Sequence, residues 1–222
     1  MNKTAWYEVF PEVWVATLET LYMVGVSFVL TVIGGILVGI ILQITGPTGL
    51  WPQPLINGVL GVVVNLFRSL PFLILLIALI GVTRFIVGTA IGPTAAIVPL
   101  TIGAIPFFAR IVESALREVP RGRVEAAEVM GATNTQIVRK VLLPEATTAL
   151  VSGATLTLVL LVGYSAMAGV IGAGGLGDFA LVYGYQRFNT PVLLVAVVVL
   201  IVMVQIMQSI GDTIIRRMAH RR

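Results

Sequence analysis

The sequence contains no cysteine, a single histidine and only two lysines, Lys3 and Lys140. The absence of cysteine excludes disulfide bonds and thiolate metal sites. Charged residues make up only 11% of the 222 residues, whereas a soluble domain carries about 25%. A membrane-embedded enzyme would need His, Asp or Glu clustered within apolar segments, and the acidic residues here lie mostly at predicted helix ends or in loops. We therefore predict no catalytic residue and no metal ligand.

Long uncharged runs dominate what is present: 58% of the residues are hydrophobic and the mean hydropathy is +1.03. A helix needs about 20 apolar residues to cross a hydrocarbon core of about 30 Å. The runs predict an all-α integral membrane protein, a single domain over 1–222 with five transmembrane helices. The predicted spans are about 15–44, 58–82, 88–112, 146–170 and 190–212. Pro93, Pro99 and Pro106 imply kinks or a late start in the third.

The distribution of basic residues predicts the orientation of these spans, because cytoplasmic loops are enriched in Lys and Arg. The segment between the third and fourth spans holds Arg110, Arg117, Arg121, Arg123, Arg139 and Lys140, and Arg216, Arg217, Arg221 and Arg222 follow the fifth. The opposite side holds only Lys3, Arg84 and Arg187. The N-terminus is therefore predicted outside and the C-terminus in the cytoplasm. Clustered arginine in loops that face lipid accounts for the net charge of +4. The sequence does not interleave aromatic with basic residues, the pattern that would indicate binding to nucleic acid.

The polar segment 118–144 is predicted to form two short helices. Pro120 suits the first turn of a helix, and Gly131 suits the end of that helix, where a positive φ is needed. Thr133 and Gln136 make a capping box for a second helix, which is expected to stop before Pro144. The small side chains of Ala126 and Ala127 would permit close approach by a partner surface.

The spacing within this segment is specific: Glu125-Ala126-Ala127, then Gly131, Val141, and Leu143-Pro144. It resembles the cytoplasmic EAA loop of ABC importer permeases, and we name residues 118–144 the coupling loop. The resemblance implies that these seven residues dock on a separate ATPase. The alternative is an interfacial loop that merely lies on lipid headgroups. No Walker A sequence is present, so the chain is predicted to hold no cofactor, with ATP and Mg bound by the partner ATPase.

Other residues leave alternatives open. Arg68, which is costly inside a membrane, is expected to snorkel or pair, with a role in the translocation pathway as the alternative. Tyr164, Ser165 and Met167 could line that pathway near the midplane, although helix packing is favoured. The hexad Gly172–Gly177 matches the dinucleotide pattern G-x-G-x-x-G, which we reject because no strand precedes it. A re-entrant or close-packed segment at the outer end of the fourth span fits better. Gly35 and Gly39 match the small-xxx-small helix-packing pattern.

Further motifs carry a closer resemblance. Residues 65–72, 95–101, 136–144 and 163–169 resemble the bacterial methionine ABC importer permeases, and the similarity extends from about Val13 to Asp212. Two departures are mild: Val141 replaces the usual Ile of the EAA pattern, and residues 178–189 are not aligned. The resemblance implies a type I ABC importer permease fold in the bacterial cytoplasmic (inner) membrane. It also implies a second copy of this chain, two ABC ATPase subunits and an extracytoplasmic substrate-binding lipoprotein, with the pathway between the two copies.

Two other functions remain as alternatives. A type I ABC permease for another amino acid or a small anion would share every feature above except the closer motifs. A channel outside the ABC class would need no ATPase, and the EAA pattern counts against it.

Overall fold

The computed structural model describes residues 6–219, and the side chains of residues 9–218. Within those limits every regular element is helical. The α-helices are α1 (Trp6–Thr45), α2 (Pro54–Ser69), α3 (Phe72–Ala78), α4 (Ile80–Val87), α5 (Pro93–Arg117), α6 (Arg121–Val129), α7 (Asn134–Ile137), α8 (Leu143–Ala168), α9 (Gly175–Phe179) and α10 (Thr190–Ala219). Lys3, Arg221 and Arg222, which entered the prediction of orientation, lie outside the described residues.

Four stretches of the described chain are long and apolar enough to cross a membrane. They are Val9–Thr45, Pro93–Arg117, Asn134–Ile171 and Thr190–Met218, and the α2–α3 pair makes a fifth if it counts as one broken span. The prediction of an all-α membrane protein is thus confirmed. The third predicted span starts late, at Pro93, because a proline at the first helical position lacks only an N–H that would be unpaired there.

The predicted continuous span 58–82 is wrong. Helix α2 ends at Ser69 and α3 begins at Phe72, with an angle of 107° between them. Pro71 sits between them in an extended conformation, with φ −57° and ψ 131°. Proline has no N–H for the helix ladder, and its ring would clash with the carbonyl of residue 67 in a continued helix. The chain therefore turns at this point.

The prediction that the second helix of the coupling loop stops before Pro144 is also wrong. A π-helical turn, Val138–Leu142, joins α7 directly to α8, and Pro144 is the second residue of α8. The wider π turn is a known way to accommodate an interruption of the regular ladder, and Pro144 supplies one because it offers no N–H. Helical backbone therefore runs without a break from the coupling loop into the span.

The residues divide into two compact units, each with its own apolar core. The first unit takes residues up to Leu30 with Leu70–Ala104 and Leu158–Ser209. Its most buried side chains include Met23, Val24, Leu100, Leu161 and Leu176.

The second unit contains Thr31–Ser69, Ile105–Thr157 and the segment from Ile210. Its core is built from Phe108, Val112, Leu116, Ile137 and Leu142, so α5 and the coupling loop share one core.

Small residues on α1 let it approach α5 closely within the second unit. A Cβ added at Gly35 would lie 2.6 Å from Cδ1 of Phe108, and one at Gly39 would lie 2.7 Å from the carbonyl oxygen of Ala109. Close backbone approach of this kind stabilises helix pairs in a membrane through van der Waals contact. The small-xxx-small pattern is therefore used inside the chain.

Candidate functional site

The first helix of the coupling loop, α6, ends in a complete Schellman motif. The Gly131 N–H donates to the Glu128 carbonyl at 2.9 Å, and the Ala132 N–H donates to the Ala127 carbonyl at 3.0 Å. Gly131 has a φ of 78°, a conformation that residues with a Cβ rarely adopt. The prediction that Gly131 ends this helix at a positive φ is confirmed. Pro120 precedes the helix instead of lying inside it, because its ψ of 127° is extended.

The second helix of the loop begins with the predicted capping box. The Gln136 N–H donates to Thr133 Oγ1, and the Thr133 N–H donates to Gln136 Oε1 at 2.8 Å. Two contacts fix the loop to the rest of its unit: Asn134 Nδ2 donates to the Leu50 carbonyl at 3.3 Å, and Arg123 pairs with Glu145 at the start of α8. The loop is thus held by one contact in each of its two short helices.

The small residues of α6 divide between two faces. Ala127 is only 5% exposed and belongs to the core of the second unit, whereas Ala126 and Glu125 are exposed. The small size of Ala127 therefore serves packing within this chain. Of the two alanines, Ala126 is the one whose side chain is accessible to a partner.

Two apolar residues that the motif does not include are strongly exposed. Val129 is 90% exposed and Met130 is 80% exposed, at the end of α6 and directly before Gly131. An apolar pair directly before Gly131, at the predicted end of a helix, is the sequence signal that could have singled them out. Exposed apolar residues on a rigid support mark an interaction surface, and methionine adapts well to a partner surface.

A cavity of about 600 Å³ lies beside α6. Its lining includes the charged residues Arg117, Arg121, Glu125 and Glu128, together with residues 43–44 and 47–50. Both signs of charge are present, so the cavity has no strong preference for an anion or a cation. It gives the loop a recess that a projecting side chain of a partner could enter.

The remaining residues of the EAA pattern lie where the π turn meets α8. Val141 and Leu143 are half-buried and pack against the core of the second unit, and Pro144 is exposed. They connect the coupling loop to the span.

The candidate pathway residues occupy different environments. Tyr164 stacks on Phe72, with ring centroids 3.9 Å apart and an interplanar angle of 6°. Ser165 is buried and donates to the Val162 carbonyl at 2.8 Å. Met167 and Arg68 are exposed, and Arg68 lies in the last turn of α2. Tyr164 and Ser165 thus make packing contacts, and Met167 and Arg68 present accessible surface.

The glycine-rich segment, Gly172–Gly177, packs tightly against α1. The Gly175 N–H donates to Glu19 Oε2 at 2.7 Å, and the Leu176 N–H donates to Thr20 Oγ1 at 2.8 Å. Gly172, Gly174 and Gly175 all have positive φ. Helices precede and follow the segment, in contrast to the strand-turn-helix of a dinucleotide site.

An acidic side chain next to this segment has a perturbed pKa. Asp178 lies in α9, outside the candidate spans. Burial, and secondarily the negative charge of Glu19, raises the pKa of Asp178 above its usual value of 3.8. Both causes penalise the ionised form. The carboxylate therefore costs stability wherever it is ionised.

The sequence matches a protein-family model described as the inner membrane component of binding-protein-dependent transport systems, over residues 35–220. A probable D-methionine transport system permease of Vibrio cholerae is 58% identical over 206 residues, covering 93% of this chain and 92% of the relative. A methionine import system permease of Bacillus subtilis is 50% identical over 203 residues, covering 91% of each. The chain belongs to the family of inner membrane components of binding-protein-dependent transport systems.

The fold has solved counterparts. A chain of a methionine ABC transporter in an inward-facing conformation aligns with a TM-score of 0.90 at 48% identity, over 98% of this chain and 99% of that one. An amino acid ABC transporter aligns with a TM-score of 0.80 at 20% identity, a likeness that concerns the fold alone. The predicted importer permease fold is confirmed.

Proposed function

We propose that this chain is the membrane-spanning subunit of an ATP-driven methionine importer. The observation that carries the proposal is the coupling loop, which presents exposed apolar side chains on a support held by one contact in each of its two helices. The specificity for methionine rests on the relatives and on the motifs in residues 65–72 and 163–169. An importer for another amino acid is the alternative that the shared fold admits.

The proposed assembly contains two copies of this chain, two cytoplasmic ATPases and a substrate-binding protein on the opposite side of the inner membrane. ATP and Mg belong to the ATPases. Val129, Met130, Glu125 and Ala126 form the ATPase-facing surface of each permease. The buried Ala127 and Gly131, with Val141, Leu143 and Pro144, hold that surface in place.

The mechanism follows from the continuity of α7 with α8. When ATP closes the ATPase dimer, each coupling loop moves with the ATPase that holds it. Because the loop joins α8 through helical backbone, this displacement reaches the span directly. The permease pair then opens outward to receive substrate from the binding protein, and hydrolysis resets it. A ligand shifts such an equilibrium only by its different affinity for the two states.

Arg68, Tyr164, Ser165 and Met167 are proposed to flank the pathway. The stacked Tyr164 and the buried Ser165 would shape its wall, and the exposed Met167 and Arg68 would meet the solute. We expect most selectivity to reside in the binding protein, because a path that must release its cargo cannot hold it tightly. Substitution of Met167 by Leu should therefore change the rate of uptake more than the choice of substrate.

Docking is tested by Met130→Glu, which places a charge in the proposed apolar contact. We expect the variant permease to lose most of the co-purifying ATPase. Thr135→Glu is the matched control, since it adds the same charge at an exposed position of α7. Equal recovery of ATPase with Met130→Glu and with the unmodified permease would contradict the docking surface.

The substrate is tested with vesicles that contain the permease, its ATPase and its binding protein. Methionine should accumulate when ATP is supplied to the ATPase face, and it should not accumulate with a hydrolysis-deficient ATPase. Accumulation of a different amino acid, with none of methionine, would replace the substrate and keep the importer architecture.

The orientation is tested by single cysteines in this cysteine-free chain. Phe188 is 93% exposed in the connection before α10, and Thr135 is exposed in the coupling loop. Phe188→Cys and Thr135→Cys should react with a membrane-impermeant thiol reagent from opposite sides of the membrane, with Phe188→Cys reacting from outside. Reaction of both from one side would refute the proposed topology.

A further inference from the structure

A buried carboxylate, Glu113, bridges two arginines on α5 in the second unit. Only 5% of Glu113 is exposed. Its Oε2 accepts from Arg110 Nη1 at 2.5 Å, and its Oε1 accepts from Arg117 Nη2. The two arginines lie one helical turn to either side, at i−3 and i+4. The carboxylate thus uses both oxygens, one toward each end of α5.

One arginine of this trio reaches α2. Arg110 Nη2 donates to the Gly61 carbonyl at 3.2 Å and to Asn65 Oδ1 at 3.0 Å. Arg68 lies at i+3 from Asn65, and residues three apart share a face of a helix. The contact therefore anchors the face of α2 that carries Asn65 and Arg68, and Arg68 is a proposed pathway residue.

The other arginine faces the coupling loop. Arg117 is the last residue of α5 and lines the cavity that Arg121, Glu125 and Glu128 of α6 also line. Its side chain is 62% exposed, against 7% for that of Glu113. A simple buried ion pair would satisfy Glu113 with one cation. Here one cation also bonds to α2, and the other lines the cavity beside α6 and directly precedes the coupling loop in the chain.

We propose that Glu113 is a positioning residue that couples the coupling loop to α2 during transport. Displacement of the loop pulls on Arg117, Glu113 transfers the displacement to Arg110, and Arg110 moves α2. Hydrogen bonds between charged groups are short and strongly oriented, so such a chain transmits movement with little slack. The inference rests on the importer function proposed above and adds a second route beside the helical connection into α8.

The test is Glu113→Gln in vesicles with the ATPase and the binding protein, measuring uptake and ATP hydrolysis together. The amide keeps the shape and loses the charge that holds both arginines. We expect hydrolysis to continue, the methionine moved per ATP to fall about tenfold, and stimulation of hydrolysis by the loaded binding protein to be lost, within the usual range of coupling between sites. Asp212→Asn is the matched control, because it removes a carboxylate at an exposed position of α10, outside the coupling loop.

Two further variants separate coupling from simple folding. Arg117→Ala alters a side chain that is mostly exposed, so it tests the same chain of contacts if Glu113→Gln does not fold. Asn65→Ala should lower uptake per ATP in part, and it should add nothing to the effect of Glu113→Gln because the two residues act in one chain. Unchanged stimulation and unchanged uptake per ATP in Glu113→Gln would overturn the proposal.

The same measurements distinguish the failure of this inference from the failure of the proposed function. If the unmodified complex moves no methionine, the substrate assignment fails, and the role of Glu113 is judged from stimulation of hydrolysis by the binding protein alone. Loss of that stimulation in Glu113→Gln would support the role, and its retention would refute it.

Discussion

The coupling loop and the glycine-rich segment use the same backbone device for opposite purposes. Each turns the chain with glycine at positive φ. At Gly131 an added Cβ would meet nothing within 4 Å, whereas at Gly175 it would lie 2.6 Å from Thr20 Oγ1. Glycine in the loop permits a turn, and glycine in the segment permits both a turn and contact.

The apolar side chains differ in the same way. Val129 and Met130 of the loop project away from the chain, while Leu176 beside Gly175 is fully buried. We propose that a partner covers the exposed pair of the loop, whereas the glycine-rich segment is covered by its own chain. Glycine at positive φ therefore does not by itself distinguish a loop with exposed apolar side chains from a segment that packs against its own chain.

The largest expected effect is a loss of stability from a substitution beside the glycine-rich segment. An added methyl group at Gly169, in the turn that leads into this segment, would overlap the backbone of Gly177 and Asp178. Gly169→Ala should therefore lower the apparent unfolding midpoint of the detergent-solubilised protein by about 5 °C or more. Gly163→Ala in α8 is the control, since no atom lies within 4 Å of its added Cβ. Equal midpoints for the two variants would show that the segment tolerates expansion.

A smaller effect is expected at Gly131, where only the backbone conformation is at stake. Gly131→Ala should cost about 1 kcal/mol because of its positive φ, and uptake should fall by roughly fivefold if the turned conformation is needed for docking. Gly122→Ala, inside α6, also meets no atom within 4 Å and should favour the helix. Uptake into vesicles should therefore fall with Gly131→Ala and rise with Gly122→Ala. A change in the same direction for both variants would contradict the role of the positive φ at Gly131.

The capping box offers a still milder change. Thr133→Ala removes the hydroxyl that accepts from the Gln136 N–H, at a typical cost of about 1 kcal/mol. We expect reduced recovery of ATPase with the permease, with the overall unfolding midpoint close to its original value. Thr135→Ala, at an exposed position two residues later, should leave recovery unchanged. Equal recovery for both would mean that the cap does not contribute to docking.

The smallest expected effect is on the pH dependence of stability, through Asp178 next to the glycine-rich segment. The raised pKa of Asp178 means that the folded state loses stability as pH rises from the usual value of 3.8 through the raised value, because the folded state binds more protons in that window. Asp178→Asn should raise the midpoint at neutral pH, and its advantage should vanish toward about pH 4. Asp212→Asn is the exposed control. An advantage that is independent of pH would exclude titration of Asp178 as the cause.

Local sequence signals predicted the end of the first helix of the coupling loop and the capping box of the second. Gly131 and the pair Thr133 and Gln136 determine their caps through atoms within a few residues, so their pattern is sufficient. The change of direction at Pro71 and the π turn before Pro144 were missed. A proline predicts an interruption, and the response to it depends on packing against other helices.

Contacts between residues far apart in the chain could not be predicted from the sequence pattern. Glu113 is one acid among several near α5, and nothing in its neighbours indicates that Arg110 would bond to α2. Glu19 likewise gives no sign that it accepts the Gly175 N–H from a segment far along the chain. The exposed pair Val129 and Met130 is an intermediate case, because its composition was visible and its accessibility was not.

The π turn at Val138–Leu142 has a consequence for how such permeases can diverge. A π turn accommodates one residue more than the regular helix, and each residue advances a helix by about 100°. Deleting one residue there would return the turn to regular α-helix and leave the coupling loop at nearly its present angle about the helix axis, whereas the same deletion inside α8 would rotate the loop by about 100°. The π turn is thus a place where the chain can lose a codon while the docking surface keeps its direction, without redesign of the span.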